Sequence, residues 1–232
     1  MAAGAQWGVI FDSDGVLVDT EQISLQAFST AVETLLAADS FTVSEEDVLE
    51  ACGLSDRDIC ALYQRRYGLA VKIEEFVALK RERYLELAAE REIHVFPGAR
   101  ELLVELAQLK TPFALASSGS QEKIAFNLKR TKLEEHFSVI ASAEEFARGK
   151  PNPALFLAAA ERLGLRPEQC VVLEDSLNGV RAAHAAGMPC LAVTNTFSAE
   201  RLAEADLIVD SLAQVKAAEL QKLVQEKVNA ST

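Results

Sequence analysis

Several residue types and patterns are scarce or missing, and each shortage excludes a class of protein. Four of the 232 residues are cysteine (Cys52, Cys60, Cys170 and Cys190), and no two form a Cys-x-x-Cys pair. Two of them lie in apolar runs that read as strands, where cysteine behaves as a small buried hydrophobe. Free thiols with a structural role, in a reducing cytoplasm, are therefore expected. The three histidines (His94, His136, His184) are scattered and lack zinc-ligand spacing. No run approaches the roughly 18 apolar residues of a membrane span. Residues 1–6 lack the basic region and long apolar stretch of a secretory leader. Positive charge is short as well: 23 Lys and Arg face 35 Asp and Glu, a formal net charge of −12. That balance argues against nucleic acid or an anionic membrane surface as partner, and any anionic substrate must be drawn by a local positive site. Neither an internal repeat nor a low-complexity segment is present.

What is there has an ordinary globular balance, half hydrophobic and a quarter charged. It suffices for a substantial core in one domain with an insertion, or in two unequal domains. A first apolar run, Trp7-Gly8-Val9-Ile10-Phe11, reads as a buried strand. The next stretch, some eighty residues long, reads as helical near 24–38, 44–52, 55–67 and 73–90, with nothing strand-like in it. Ser44-Glu-Glu-Asp47 and Ser55-Asp-Arg-Asp58 have the form of capping boxes. From Phe96-Pro97-Gly98 the rhythm changes to short apolar strands (112–116, 137–141, 170–173, 189–193, 206–209). Helices near 99–109, 121–130, 153–163, 177–186 and 199–203 separate them, and a closing amphipathic helix spans 212–227. This alternation predicts an α/β fold with a Rossmann-like, mostly parallel sheet covered on both faces. An all-helical cap domain is inserted at 20–93, leaving 1–19 and 94–232 as the core domain.

In an open parallel sheet, ligands sit beyond the carboxyl ends of the strands, near the topological switch point. The first strand runs into FDSDGVLVDT, which places Asp12, Asp14 and Asp19 directly after an apolar run. Repulsion and desolvation both disfavour carboxylates there. A turn needs one Asp, which Asp14-Gly15 supplies; Asp12 is left over. The second strand ends in ASSGS, giving Ser117, Ser118 and Gly119. The third is followed by GKPNP with Lys150, and the fourth ends in LEDS with Glu174 and Asp175. Singly, these read as a helix N-cap, a solvated lysine and an acidic pair beside a helix dipole. Delivered together to one crevice, they point to phosphoryl transfer through a covalent intermediate. A carboxylate such as Asp12 attacks phosphorus once charge is neutralised. Mg²⁺ held by Asp12, Asp175 and a backbone carbonyl would do so. Lys150 would add about 4 kcal/mol at ~4 Å for an effective dielectric of about 20. Ser117 and the amides of the following helix start can hold phosphate oxygens. Asp14 would protonate the leaving oxygen and then activate water.

With these four motifs in this order, the chain resembles the haloacid dehalogenase superfamily, in its phosphatase and phosphomutase branch with a helical cap. DSDGVLVDT matches the first motif, ASS the second, GKPNP the third and LEDS the fourth, and cap position and FPG re-entry also agree. The resemblance implies Asp12 as nucleophile, Asp14 as acid/base, and Mg²⁺ on Asp12, the Asp14 carbonyl, Glu174 and Asp175. Ser117 and Lys150 join the catalytic set, and Ser118 and Gly119 the substrate-binding one. The second Asp separates the chain from dehalogenases and transport ATPases. From the cap, Arg57 and Lys80 are expected to face the substrate. Mutase members of the branch carry a His about twelve residues after the nucleophile and an Arg directly after the cap-loop Ser; here those places hold Ser24 and Asp56. The reading is therefore a Mg²⁺-dependent phosphatase of a small phosphorylated metabolite, a sugar phosphate in particular, acting as a cytoplasmic monomer. Its rivals are a β-phosphoglucomutase-type mutase and a catalytically idle binding protein.

Overall fold

The computed structural model describes residues 6–37, 42 and 44–230; residues 1–5 of the start read above as lacking leader features, and the expected helical residue Ala38, lie outside them. Six strands form one parallel sheet: β1 (Gly8–Phe11), β4 (Phe113–Ser117), β5 (Ile140–Ser142), β6 (Cys170–Glu174), β7 (Cys190–Val193) and β8 (Leu207–Val209). Their spatial order is β5-β4-β1-β6-β7-β8, with β1 paired to β4 on one side and to β6 on the other. The chain thus leaves β1 in one direction, returns, and continues from β6 in the other. The crevice between β1 and β6 is the switch point of a Rossmann-like order.

Side chains alternate across the pleat. Val9, Phe11, Leu115, Val171 and Leu173 face one core, under α5 (Ala99–Gln108), α6 (Gln121–Thr131) and α9 (Ala217–Ala230). Ile10, Ala114, Ala116, Val172 and Cys190 face the other, under α7 (Ala154–Leu163) and α8 (Leu177–Ala185). Phe11, Phe113 and Phe137 meet edge to face at 5.6–6.1 Å between centroids, an arrangement their ring quadrupoles favour. All four cysteines are free thiols.

The insertion holds α1 (Glu21–Leu36), α2 (Glu45–Ala51), α3 (Asp56–Tyr67) and α4 (Ile73–Glu90). It has its own core, in which Phe28 packs against Tyr63 and Phe76 at 4.9 and 5.5 Å. Just outside the expected all-helical segment 20–93, a two-stranded antiparallel ribbon that the sequence reading did not anticipate, β2 (Val18–Asp19) with β3 (His94–Val95), closes its base. Two residues per strand are too few to show a period. Helix α1 begins at Glu21 rather than 24. Its N-cap Thr20 makes no side-chain cap bond, because the hydroxyl is turned to Asp14. The helix expected at 199–203 is instead a run of turns, with Arg201 N–H donating to the Ser198 carbonyl (3.0 Å) and Ala205 N–H to that of Leu202 (2.9 Å). One turn forms too few bonds to offset nucleation. The closing helix starts at Ala217, after a 3₁₀ turn at Leu212–Gln214.

Candidate active site

Four strand-end segments meet at the switch point. Asp12 follows β1 and anchors its amide on the Leu173 carbonyl (3.0 Å). The next turn passes through Gly15 at φ +78°, and a Cβ there would collide with the Asp175 carboxylate; only glycine serves at that place. Lys150, which in isolation reads as solvated, is 1% exposed. Its ammonium lies between Asp12 Oδ1 and Glu174 Oε1, donating to both, and 5.0 Å from the Phe156 ring centroid. The other oxygen of Glu174 accepts from Asp175 N (2.9 Å), Ser176 N (3.0 Å) and Ser176 Oγ (2.9 Å). Asp175 accepts from the Thr196 hydroxyl. Asp14 accepts from the Thr20 hydroxyl and pairs with Lys123 at 2.9 Å.

Charge is unbalanced here. Burial pushes the Asp12 carboxyl up to about 8; Lys150 opposes the rise, and Glu174 and Asp14 add to it. Burial also holds Asp175 well above the carboxylate range, with Glu174, Glu21 and Asp12 adding to the effect. Burial acts on Asp14 too, yet Lys123 and the Thr20 hydroxyl outweigh it and keep that carboxyl low. Lys150 is raised by Asp12 and Glu174 against its own burial. More carboxylates than cations therefore share the crevice, the setting that attracts a divalent cation. Oxygens of Asp12, Glu174 and Asp175 lie within 4.8 Å of one another. Among the described residues, no hydrogen bond goes to Asp12 Oδ2, Asp175 Oδ1 or the Asp14 carbonyl oxygen. Hard oxygen donors without partners suit Mg²⁺.

A cavity of about 250 Å³ opens over this cluster. Asp12, Asp14, Asp175, Ser118, Gly119 and Lys123 line its floor; Leu25, Phe28, Leu49, Ile59 and Lys80 line it from the insertion. Ser117 ends β4, buried, with its Oγ accepting from Gly119 N at 3.1 Å. The Ser118 hydroxyl donates to the Gly53 carbonyl at 2.6 Å. Lys80 is buried and paired with Asp56. Arg57 is not brought to this cavity: its side chain is 57% exposed, faces Glu74 at 3.5 Å, and lines a separate cavity of about 200 Å³. Asp19 is exposed on β2.

Sequence reasoning missed Lys123, Glu21, Thr20 and Tyr84. Lys123 Nζ also donates to Ser24 Oγ (3.0 Å) and sits 4.5 Å from the Tyr84 ring centroid, while Tyr84 donates to Asn127 Oδ1 (2.9 Å). One signal existed: Lys123 stands in the first turn of α6, where a cation opposes the helix dipole. Glu21 lines the cavity with its carboxyl raised by burial and then by Asp14.

Residues 9–193 match the family model described as haloacid dehalogenase-like hydrolase. Hexitol phosphatase A of Escherichia coli is 33% identical over 210 residues, covering 90% of this chain and 92% of that protein. The crystal structure of CbbY from Rhodobacter sphaeroides in complex with phosphate superposes with a TM-score of 0.82 at 31% identity, covering 93% of this chain and 99% of that one. A β-phosphoglucomutase from Clostridium difficile does so at 0.84 and 25% identity, over 97% and 99%. No helix among the described residues is long and apolar enough to cross a membrane. A match to the family model over most of the chain, reaching from β1 through β7, establishes that the chain belongs to the haloacid dehalogenase-like hydrolases.

Proposed function

We propose that this hydrolase is a Mg²⁺-dependent phosphatase that cleaves a small phosphate monoester, a sugar phosphate in particular, through a phospho-aspartate on Asp12. The observation that carries the reading is the buried Lys150 joining Asp12 to Glu174, with Asp14 beside them on the floor of the cavity between core and insertion. One carboxylate oxygen of Asp12 attacks phosphorus, leaving the other for a cation. Lys150 holds the carboxylate in place and offsets charge on the phosphoryl oxygens, while Ser117, Ser118 and Gly119 receive those oxygens at the start of α6. Asp14 protonates the departing oxygen, then takes the proton of the water that attacks phospho-Asp12. Its ion pair with Lys123 favours the ionised form needed in that second step. Mg²⁺ bound to Asp12, Asp175 and the Asp14 carbonyl would neutralise the transferring group. Glu174, whose oxygens are already engaged by Lys150, two amides and a hydroxyl, serves this scheme by fixing Lys150.

The domain division follows the same reading: residues 1–19 and 94–232 form the core, and 20–93 a cap that closes over the substrate. Lys80 contributes to the cap wall; Arg57, turned to solvent, is left out. The likeness to a β-phosphoglucomutase favours a mutase as the second reading, but Ser24 is occupied by Lys123 and Asp56 by Lys80. The Asp56 carboxylate would repel the second phosphate that a mutase must hold. A small phosphorylated metabolite as partner, a monomeric state and a cytoplasmic location complete the proposal. A panel of phosphorylated metabolites with Mg²⁺ tests it through phosphate release. Phosphorus NMR with β-glucose 1-phosphate and a trace of bisphosphate separates the two readings. Free phosphate in proportion to substrate consumed supports the phosphatase, and glucose 6-phosphate accumulating without it overturns that choice.

A further inference from the structure

Insertion and core meet along the loop and helix start at 50–58, and three strand-end segments of the core donate hydrogen bonds to it. Ser118 Oγ donates to the Gly53 carbonyl (2.6 Å). Asn178 Nδ2 donates to the carbonyls of Glu50 (3.0 Å) and Cys52 (2.8 Å). Gly149 N–H donates to Asp58 Oδ2 (2.9 Å). The last bond touches the chemistry most directly, because Gly149 immediately precedes Lys150.

Asp58 is the third residue of α3, and its amide donates to the N-cap Ser55 Oγ at 3.2 Å. In a full capping box its carboxylate would return to the N-cap amide. Here Oδ2 instead accepts from the Ser55 hydroxyl (2.6 Å) and reaches across to Gly149. The bond to an ionised acceptor is charge-assisted. It is also closely fitted: a Cβ on Gly149 would stand 2.8 Å from Asp58 Oδ2 and 3.1 Å from Ser55 Cβ. Gly149 has no left-handed φ, so alanine there disturbs this contact and leaves the backbone unstrained. We propose that Asp58 is a positioning residue: from the insertion it fixes, through the Gly149 amide, the backbone from which Lys150 reaches Asp12. Alignment of Lys150 then depends on the cap being seated on the core. The inference rests on the phosphatase reading above and adds to it a link between cap position and the catalytic lysine.

The test uses Asp58→Ala, Asp58→Asn, Gly149→Ala and the Asp58→Ala/Gly149→Ala double variant of the full chain, saturated with Mg²⁺. The readouts are phosphate-release kinetics, thermal melting and orthovanadate affinity, the last reporting on the Lys150 environment without turnover. Misplacing a catalytic group by on the order of 1 Å costs up to about 10²-fold. Asp58→Ala should therefore lose about 10- to 100-fold in kcat with KM changed by less than about threefold, and bind vanadate correspondingly more weakly. Asp58→Asn keeps an acceptor oxygen and should restore both. Gly149→Ala should reproduce the loss with the cap residues untouched, and the double variant should be no worse than either single one. Wild-type kcat and vanadate affinity in Asp58→Ala, a loss confined to KM, or losses that multiply in the double variant would each overturn the proposal. If Asp58→Ala does not fold, Gly149→Ala decides alone, and wild-type behaviour overturns it. If the wild type hydrolyses no phosphate monoester, the phosphatase reading fails instead. Vanadate binding by the wild type and Gly149→Ala then still reads the link, and equal affinities reject it.

Discussion

Replacing Asp12 by asparagine should abolish turnover and at the same time stabilise the metal-free protein. The carboxyl is 6% exposed and burial, opposed by Lys150, pushes it from 3.8 to about 8. Between those values the folded chain holds a proton that the unfolded chain has released, so stability falls as pH rises through this window. At about 1.4 kcal/mol for each pH unit, the cost to the folded state reaches about 4 kcal/mol at pH 7. Asparagine removes that cost but sets an amide NH₂ in place of the protonated oxygen, and an unmet buried donor costs about 1–3 kcal/mol. The net gain is about 1–3 kcal/mol, or about 2–12 °C in Tm for a chain of this size. Differential scanning calorimetry in EDTA at pH 4 and pH 7 measures it. Near pH 4, where little of the carboxyl's cost has built up and the loss remains, the variant should melt lower than wild type; at pH 7 it should melt higher. Saturating Mg²⁺ should narrow the gap, since the variant has lost a ligand. A variant that melts lower than wild type at pH 7 without metal would refute the picture of an uncompensated carboxylate cluster.

Two further outcomes follow from the same geometry. Chelation should remove activity and Mg²⁺ restore it, with wild-type stability rising by about 2.7 kcal/mol, roughly 5–11 °C in Tm, at a metal concentration of 100 times Kd; activity undiminished by exhaustive chelation contradicts this. Lys123→Met should release Asp14 from the ion pair that holds its carboxyl low. The acid limb of the kcat profile should then move to higher pH, and an unmoved limb would separate Lys123 from Asp14.

The strand-end chemistry was legible because carboxylates directly after an apolar strand conflict with the local physics. Asp12 had no structural reason to be there, and Glu174 and Asp175 after β6, which alone could serve a helix dipole, gained meaning beside it. Lys150 and Arg57 were not so readable. Both stand in polar stretches, and only tertiary packing buries the first between two carboxylates and leaves the second in solvent. Lys80 and Arg57 look alike in sequence; burial against Asp56 distinguishes them. Helix α1 starts three residues before the expected 24, and the hydroxyl of its N-cap Thr20 serves Asp14, not its own helix. The β2–β3 ribbon was invisible because each strand is two residues long and its pairing joins positions at opposite ends of the insertion. Asp58 could be read as half of a capping box, but nothing local told that its carboxylate leaves the helix for Gly149.

The covalent step through Asp12 is tested most directly in the Asp14→Asn variant. With acetyl phosphate and Mg²⁺ the leaving group needs no protonation, so Asp12 can still be phosphorylated, while water is no longer activated to remove the group. Intact-mass spectrometry should find one phosphoryl group per chain, and borohydride reduction should convert Asp12 to homoserine; Asp12→Asn/Asp14→Asn should take up none. If the wild type releases phosphate from acetyl phosphate yet Asp14→Asn carries no adduct, or carries it at another residue, the phospho-Asp12 mechanism is contradicted.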